Sequence, residues 1–308
     1  MVASTVLASI PSPSVSAFEL GPLTIHFYAL CILAGIVVCL WLTGRRWAAW
    51  GEDPERVWDV AMWAIPAGIV GARLYHVLIT DPGSYFGEGA DLLDVFKIWE
   101  GGIGIMGAIS VGGLGAWYAC RRYGISLPKF ADAAAPGIMI AQALGRWGNW
   151  FNQELFGRPT TLPWGLEISA TSPNFPDQYP VGTLFHPTFL YESLWNLLGA
   201  ALLIALGRRG VFQMGQIFWA YVTWYGFGRL LIECFLRIDT AEMLWGVRVH
   251  VWTSGAVLLL GILMFALMGA RARRCGELPG AYRQGSSGSG FSRPGRDEPA
   301  PASVRSGN

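Results

Sequence analysis

The sequence predicts an all-α integral membrane protein with seven transmembrane helices, its N-terminus outside and its C-terminus in the cytoplasm. Three observations carry that prediction. Seven apolar runs, near 25–43, 57–79, 101–120, 131–150, 187–207, 215–236 and 251–269, each approach bilayer length, which takes about 20 residues. The chain is 53% hydrophobic and only 14% charged, with 40 Gly and 15 Trp, a balance that suits packed spans with aromatic anchors at the membrane surfaces. Basic residues, finally, crowd alternate loops.

The first twenty residues contain Pro11 and Pro13 and lack a basic start, which makes a poor signal peptide; residues 1–24 are expected to be an exposed, loosely ordered segment. The first run ends abruptly at Arg45 and Arg46. Further basic residues come after the first, third, fifth and seventh runs: Arg56, Arg121, Arg122, Lys129, Arg208, Arg209, Arg271, Arg273 and Arg274. The alternate loops hold only Lys97, Arg158, Arg237 and Arg248. Cytoplasmic loops carry the excess of Lys and Arg, which sets the orientation. Residues 25–270 then form one seven-helix transmembrane domain. Its outer loop, 151–186, is long and proline-rich, the kind of connection that usually serves as a lid or binding loop. The stretch 271–308, rich in Gly, Ser, Pro and Arg, is expected to be a disordered cytoplasmic tail. The five cysteines form no CxxC pair and most lie in apolar runs, where Cys acts as a small hydrophobe; neither disulfides nor metal ligands are expected among them.

The fourth run closes on LGRWGNWFNQELFG, residues 144–157. A guanidinium (Arg146), two amides (Asn149, Asn152) and a carboxylate (Glu154) succeed one another there. A charge in hydrocarbon costs at least about 2.5–3.5 kcal/mol, so such a group persists only when paired, hydrated or used. A lone arginine reads best as one that reaches for the headgroups; four polar groups among Gly145, Gly148 and Gly157 do not. The stretch resembles the signature of the prolipoprotein diacylglyceryl transferases, Gly-Arg-x-Gly-Asn-(Phe/Trp)-x-Asn-x-Glu-x-x-Gly. That resemblance implies an enzyme of the cytoplasmic membrane that moves diacylglycerol from phosphatidylglycerol to the lipobox cysteine thiol of prolipoproteins.

Depth brings further groups to the same level. At 1.5 Å per helical residue, Arg146 lies roughly 21 Å above the cytoplasmic end, Arg229 roughly 20 Å, Arg73 roughly 22 Å, and Tyr28 and Glu192 roughly 24–26 Å. Tyr225, Arg229 and Glu233 share one helix face by their spacing. Three segments extend the resemblance over most of 22–270: Tyr225 to Glu233 is similar to the family's Tyr-Gly-x-x-Arg-x-x-x-Glu, His186 to Glu192 to its His-Pro-(Ser/Thr)-x-x-Tyr-Glu, and His26 to Tyr28 to its His-x-Tyr. One position departs. Where many members have the His of a His-Gly-Gly motif, proposed as a base, this chain has Met106 within the segment 99–108. Of the glycines nearby, Gly112, Gly113 and Gly115 are expected to pack helices, while Gly101, Gly102 and Gly104 could also approach a headgroup.

The reaction implied is displacement at the glycerol carbon bearing the phosphate ester. Arginine suits phosphate because its planar fork donates two hydrogen bonds and stays charged. Arg146, Arg229 and Tyr225 are therefore the expected catalytic residues. Tyr28, His26, Asn149, Glu154, Gly157 and Glu233 join Arg146 as substrate-binding residues, with Asn149, Glu154 and Glu233 orienting the arginines. The nucleophile belongs to the substrate, and no base is assigned; His26 and His186 lie nearest by depth. No cofactor, metal or nucleic acid is expected; the partners are phosphatidylglycerol, prolipoprotein signal peptides and the bilayer. A lipid carrier with the same pocket is the alternative, and it requires a second access from the cytoplasmic side. An intramembrane serine protease is disfavoured because neither Ser110 nor Ser254 has a His at matching depth. A metal-dependent phosphatidyltransferase would need clustered Asp on one span, and none has it.

Overall fold

The computed structural model describes residues 9–21, 23–87, 89–98, 101–238 and 243–283. A hairpin of β1 (Ala17–Leu20) and β2 (Leu23–His26) leads into α1 (Phe27–Ala49). Next come α2 (Glu55–Tyr75), continued by a π turn His76–Thr80, the short α3 (Pro82–Phe86), α4 (Ile105–Tyr123) and α5 (Leu127–Phe151). The loop after α5 carries β3 (Leu166–Glu167) paired antiparallel with β4 (Leu184–Phe185). The chain ends in α6 (Thr188–Arg208), α7 (Gln216–Phe235), the hairpin β5 (Met243–Leu244) and β6 (Val247–Arg248), and α8 (Val249–Arg274). Each of the seven apolar runs is thus centred on a helix of nineteen residues or more. Four of these, α1, α2 with its π turn, α6 and α8, are long and apolar enough to cross a membrane. Their outward faces are bare hydrocarbon, with Leu33, Val37, Trp41, Leu259 and Leu263 among the exposed side chains. In water such faces would be costly; in lipid they are the solvent-matched surface.

Small residues set the pairing. α2 packs most extensively on α4, α1 on α5, and α7 on α8. A Cβ on Gly71 of α2 would lie 2.5 Å from the Gly107 carbonyl oxygen of α4, and one on Gly261 of α8 would lie 2.8 Å from the backbone nitrogen of Thr223 on α7. Without a strong hydrophobic force between helices in lipid, such close backbone approach is what drives association. Gly112 and Gly115 pack against α2 as expected, but Gly113 faces open space. Gly102 and Gly104 are likewise filled positions, against His76 and Arg73 and against Tyr75 respectively.

The basic helix ends meet at one end of the bundle. Arg46 Nε donates to the Ala133 carbonyl (2.9 Å) and Lys129 pairs with Glu52. Here the structure corrects the expected tail. Residues 276–283 pack back onto the bundle: the Tyr282 hydroxyl donates to Asp132 Oδ2 (2.8 Å), its ring meets Trp50 edge-on, and Arg283 donates to the Gly207 carbonyl. A chain with an aromatic ring and a turn at Gly280 finds apolar and carbonyl partners there that composition does not reveal. Residues 284–308 lie outside the described residues.

The N-terminal segment is corrected too. Residues 9–16 run along the loop 151–186 rather than standing loose. Ile10 N donates to Gly165 O (2.8 Å) and Glu167 N to Ile10 O (2.9 Å), adding a third extended segment beside β3. Trp150 Nε1 and Gln153 Nε2 donate to the carbonyls of Pro11 (3.1 Å) and Pro13 (3.0 Å). Beneath lies an apolar cluster of Phe156, Leu166, Ile168, Phe185 and Phe189, so the loop 151–186 is a packed cap with its own core. Residues 1–8 lie outside the described residues.

Candidate functional site

The opposite end of the bundle from Asp132 holds a network of arginine and glutamate side chains. It begins where α5 ends. Helix geometry carries Arg146 and Asn149 onto one face, and Arg146 Nη1 donates to Asn149 Oδ1 (3.3 Å). Past the last turn, Gln153 and Leu155 adopt left-handed backbone (φ 50° and 58°). Non-glycine residues held there cost on the order of 1–3 kcal/mol each and mark places where the surroundings dictate the chain path. The Gln153 side chain is tied to Pro13 O and to Ser169 N, and the Leu155 carbonyl accepts from Arg237 Nη1 (3.1 Å) and from Thr188. The result is that Glu154 turns back toward the helix: its Oε1 accepts from Asn149 Nδ2 (2.8 Å) and Asn152 Nδ2 (3.3 Å).

Glu192 on α6 joins the two expected clamps. Its Oε2 lies 2.6 Å from Arg146 Nη2 and its Oε1 lies 3.5 Å from Arg229 Nη1. Arg229 in turn reaches Glu233 one turn on, and Glu233 also faces Arg248 at 3.5 Å. Arg248 Nη1 donates to the Arg237 carbonyl (2.8 Å). Burying charges in this way is favourable only when they are paired and hydrogen-bonded, and here Glu192 and Glu233 each sit between two guanidinium groups. The arginine side chains at the centre keep 17% exposure against 8% for Glu192, so the cations are the reachable part.

Beside the network lies a cavity of about 120 Å³ between α6 and α7, lined by Tyr191, Glu192, Asn196, Tyr225, Gly228 and Arg229 among others. Gly228 admits the Trp195 ring, whose indole a Cβ there would meet at 2.2 Å. Trp195 stacks on Trp224 at 4.3 Å, and each indole N–H donates to the other residue's carbonyl, fixing α6 against α7. Asn196 Oδ1 is buried without a protein partner among the described residues.

The sequence-predicted residues divide accordingly. Arg146, Asn149, Glu154, Arg229 and Glu233 belong to one connected network, and Tyr225 shares the cavity with Arg229. Tyr28 stands within electrostatic range of Glu154 and Arg146, its ring filling the space over Gly148. His26 lies with Glu154 along a second, larger cleft. Gly157 has a packing role: a Cβ would meet His186 Cβ at 2.8 Å, and its N–H donates to the His186 carbonyl. Arg73, placed at the same depth by helix rise, is elsewhere. Its guanidinium binds the carbonyls of Val95, Gly101 and Asp94 and lies over Tyr85, stapling the loop before α4. Met106 is 46% exposed; Trp99 and Glu100 of the same segment lie outside the described residues. Sequence reasoning placed Glu192 at the right depth without giving it a role, and missed Arg237 and Arg248. Their signal was two basic residues in loops otherwise poor in them.

Of the histidines, His186 Nδ1 lies 3.2 Å from the Tyr191 hydroxyl, which also accepts from Trp164 Nε1 (3.0 Å). Burial lowers the His186 pKa below its ordinary value, which favours the neutral ring.

Fold and site define a multi-pass membrane protein with a buried, arginine-rich polar centre at one end of its helix bundle. Residues 15–267 match the family model described as prolipoprotein diacylglyceryl transferase, and the chain belongs to that family of transferases. Among its relatives is a phosphatidylglycerol–prolipoprotein diacylglyceryl transferase of Bifidobacterium adolescentis, 48% identical over 272 residues, covering 85% of this chain and 80% of the relative. One of the same name from Frankia alni is 55% identical over 263 residues, covering 85% and 68%. Transferase 2 of Streptomyces coelicolor is 47% identical over 305 residues, covering 98% and 92%.

Proposed function

We propose that this protein transfers the diacylglyceryl group of phosphatidylglycerol to the lipobox cysteine of prolipoproteins, at the outer face of the cytoplasmic membrane. All seven long helices cross the bilayer, with the N-terminus outside and the basic end around Asp132 in the cytoplasm. The substrate thiolate attacks the glycerol carbon that bears the phosphate ester. A C–S bond forms, the C–O bond breaks, and glycerol phosphate leaves with the electron pair; the thiol proton passes to solvent.

One observation carries the reading: a single carboxylate, Glu192, bridges Arg146 and Arg229 beside a cavity. The bond to Arg229 is the long one, so an incoming phosphate can take its place while Glu192 keeps Arg146 aligned. Two preorganised guanidinium groups then meet the charge that grows on the leaving phosphate, often the largest catalytic contribution. Tyr225 and Tyr28 hydrogen-bond the headgroup, and Asn196 Oδ1 is available to a headgroup hydroxyl. Asn149, Glu154 and Glu233 hold the cations in place. The carrier alternative is weakened by Tyr282 and Trp50, which close the basic end over Asp132. The test is purified protein in phosphatidylglycerol liposomes with a lipobox peptide, the thioether product measured by mass; no mass gain on the cysteine sinks the proposal.

A further inference from the structure

The larger cleft, about 760 Å³, lies between the N-terminal segment and the outer loop, within the range of ligand-binding sites. One wall is Ser12–Pro13–Ser14 with Ser16; the other is Ser169 with Thr171 to Asn174; Asn152, Glu154 and His26 lie along it as well. We propose that this cleft receives the polypeptide C-terminal to the acceptor cysteine, as an extended chain, and that the N-terminal segment is a wall of that subsite. The inference rests on the transferase reading above.

Three features support it. The cleft borders the arginine network, because Glu154 lines it and accepts from Asn149, which in turn accepts from Arg146. Among the described residues its ionisable lining is Glu154, Glu167 and His26, with no arginine or lysine; an anionic lipid headgroup is therefore a poor occupant, whereas the lining suits a peptide. And six of its sixteen lining residues are serine or threonine, with Asn174 tied to the Asn152 carbonyl (3.2 Å). Such groups satisfy main-chain N–H and C=O of any sequence, which fits substrates that share a cysteine but differ in the residues beyond it. The wall is also built to stay. Pro11 and Pro13 set an extended path and offer their carbonyls to Trp150 and Gln153 of the signature segment itself, so the cleft and the arginine network share one scaffold.

The test uses the full chain in phosphatidylglycerol liposomes with two lipobox peptides, one ending at the cysteine amide and one extended by six residues beyond it. For the unmodified protein the extended peptide should have the lower KM. Ser14→Trp and Thr171→Trp, which fill the cleft from either wall, should shrink the ratio of the two KM values at least tenfold and leave the KM for phosphatidylglycerol within twofold. A ratio unchanged in both variants overturns the subsite, and a rise in the phosphatidylglycerol KM instead assigns the cleft to lipid. In parallel, a benzoylphenylalanine placed three residues after the cysteine should cross-link the unmodified protein within 12–16 or 169–174; cross-links confined elsewhere also overturn it. Absence of thioether with both peptides would fault the transferase reading, a distinct outcome.

Discussion

Two buried carboxylates, one at each end of the bundle, show how differently a membrane protein can hold a charge. Asp132 is fully buried and accepts from the backbone N–H of Gly215 (2.7 Å) and Phe218 (2.9 Å) and from the Tyr282 hydroxyl (2.8 Å). Those two main-chain donors are the N-cap and the first turn of α7, where N–H groups lack helical partners and the helix dipole favours an anion. Glu192 has no such support; its partners are the flexible side chains of Arg146 and Arg229, next to a cavity. Main-chain donors cannot be exchanged without unfolding a helix end. Side-chain cations can trade one anion for another. The first arrangement is an anchor, the second a site.

The strongest way to break that contrast is to remove a cation. Arg146→Ala and Arg229→Ala should each lower transfer by about a hundredfold or more, the scale of losing a preorganised donor to developing charge. Arg146→Lys should recover little, since an ammonium is a point charge without a fork. The measurement is turnover of protein shown to be inserted and monodisperse; near-normal transfer by either alanine variant would remove that arginine from the clamp.

Isosteric amides sharpen the comparison further. Glu192→Gln should cut turnover at least tenfold with little change in Tm, because it removes the charge that aligns two cations. Asp132→Asn should do the reverse: its NH2 faces backbone N–H groups, and an unsatisfied buried donor costs about 1–3 kcal/mol. Turnover at low temperature should stay normal while Tm falls. If the two variants behave alike, the distinction between anchor and site is wrong.

Much of this was legible in the sequence, and the parts that were not have a common cause. Helix rise gives depth but not azimuth. Arg73 and Arg146 share a depth, yet α2 packs on α4 and turns Arg73 toward the loop at 94–102, while α5 and α6 bring Arg146 to Glu192. The role of Glu192 needed the crossing of three helices, which no spacing along one chain contains. Composition misled at both ends for a related reason. Single residues, Ile10 in the N-terminal segment and Tyr282 in the tail, dock sequences that read as unstructured overall.

The tail therefore divides the expected effect of truncation. Deleting 284–308 should leave both turnover and Tm unchanged. Deleting 276–308 also removes the Tyr282 hydroxyl from Asp132 and the donation from Gln213 Nε2 to the Glu277 carbonyl, and should lower Tm while sparing turnover. Burial and the neighbouring carboxylate raise the Tyr282 pKa, so the phenol remains a donor throughout the working range. Tyr282→Phe should reproduce part of the loss, about 1 kcal/mol. Equal Tm for the two truncations would mean that the contact contributes nothing.

The smallest expected effect concerns the histidines. His186 stands by Tyr191 on one side of the network and His26 by Glu154 on the other, while Met106 offers no base. A peptide thiol with a pKa near 8.5 is already a few per cent thiolate at neutral pH, and adjacent guanidinium groups raise that fraction. No single change among His26, His76, His186 and His250 to Ala should then abolish transfer. The pH profile decides the matter. Without a dedicated base, kcat/KM should climb about tenfold per unit from pH 6 toward the thiol pKa. With His186 as base it should instead level off below the ordinary imidazole range, since burial lowers the imidazole pKa and favours the neutral ring. A plateau of that kind, lost in His186→Ala and in no other variant, would assign His186 the proton.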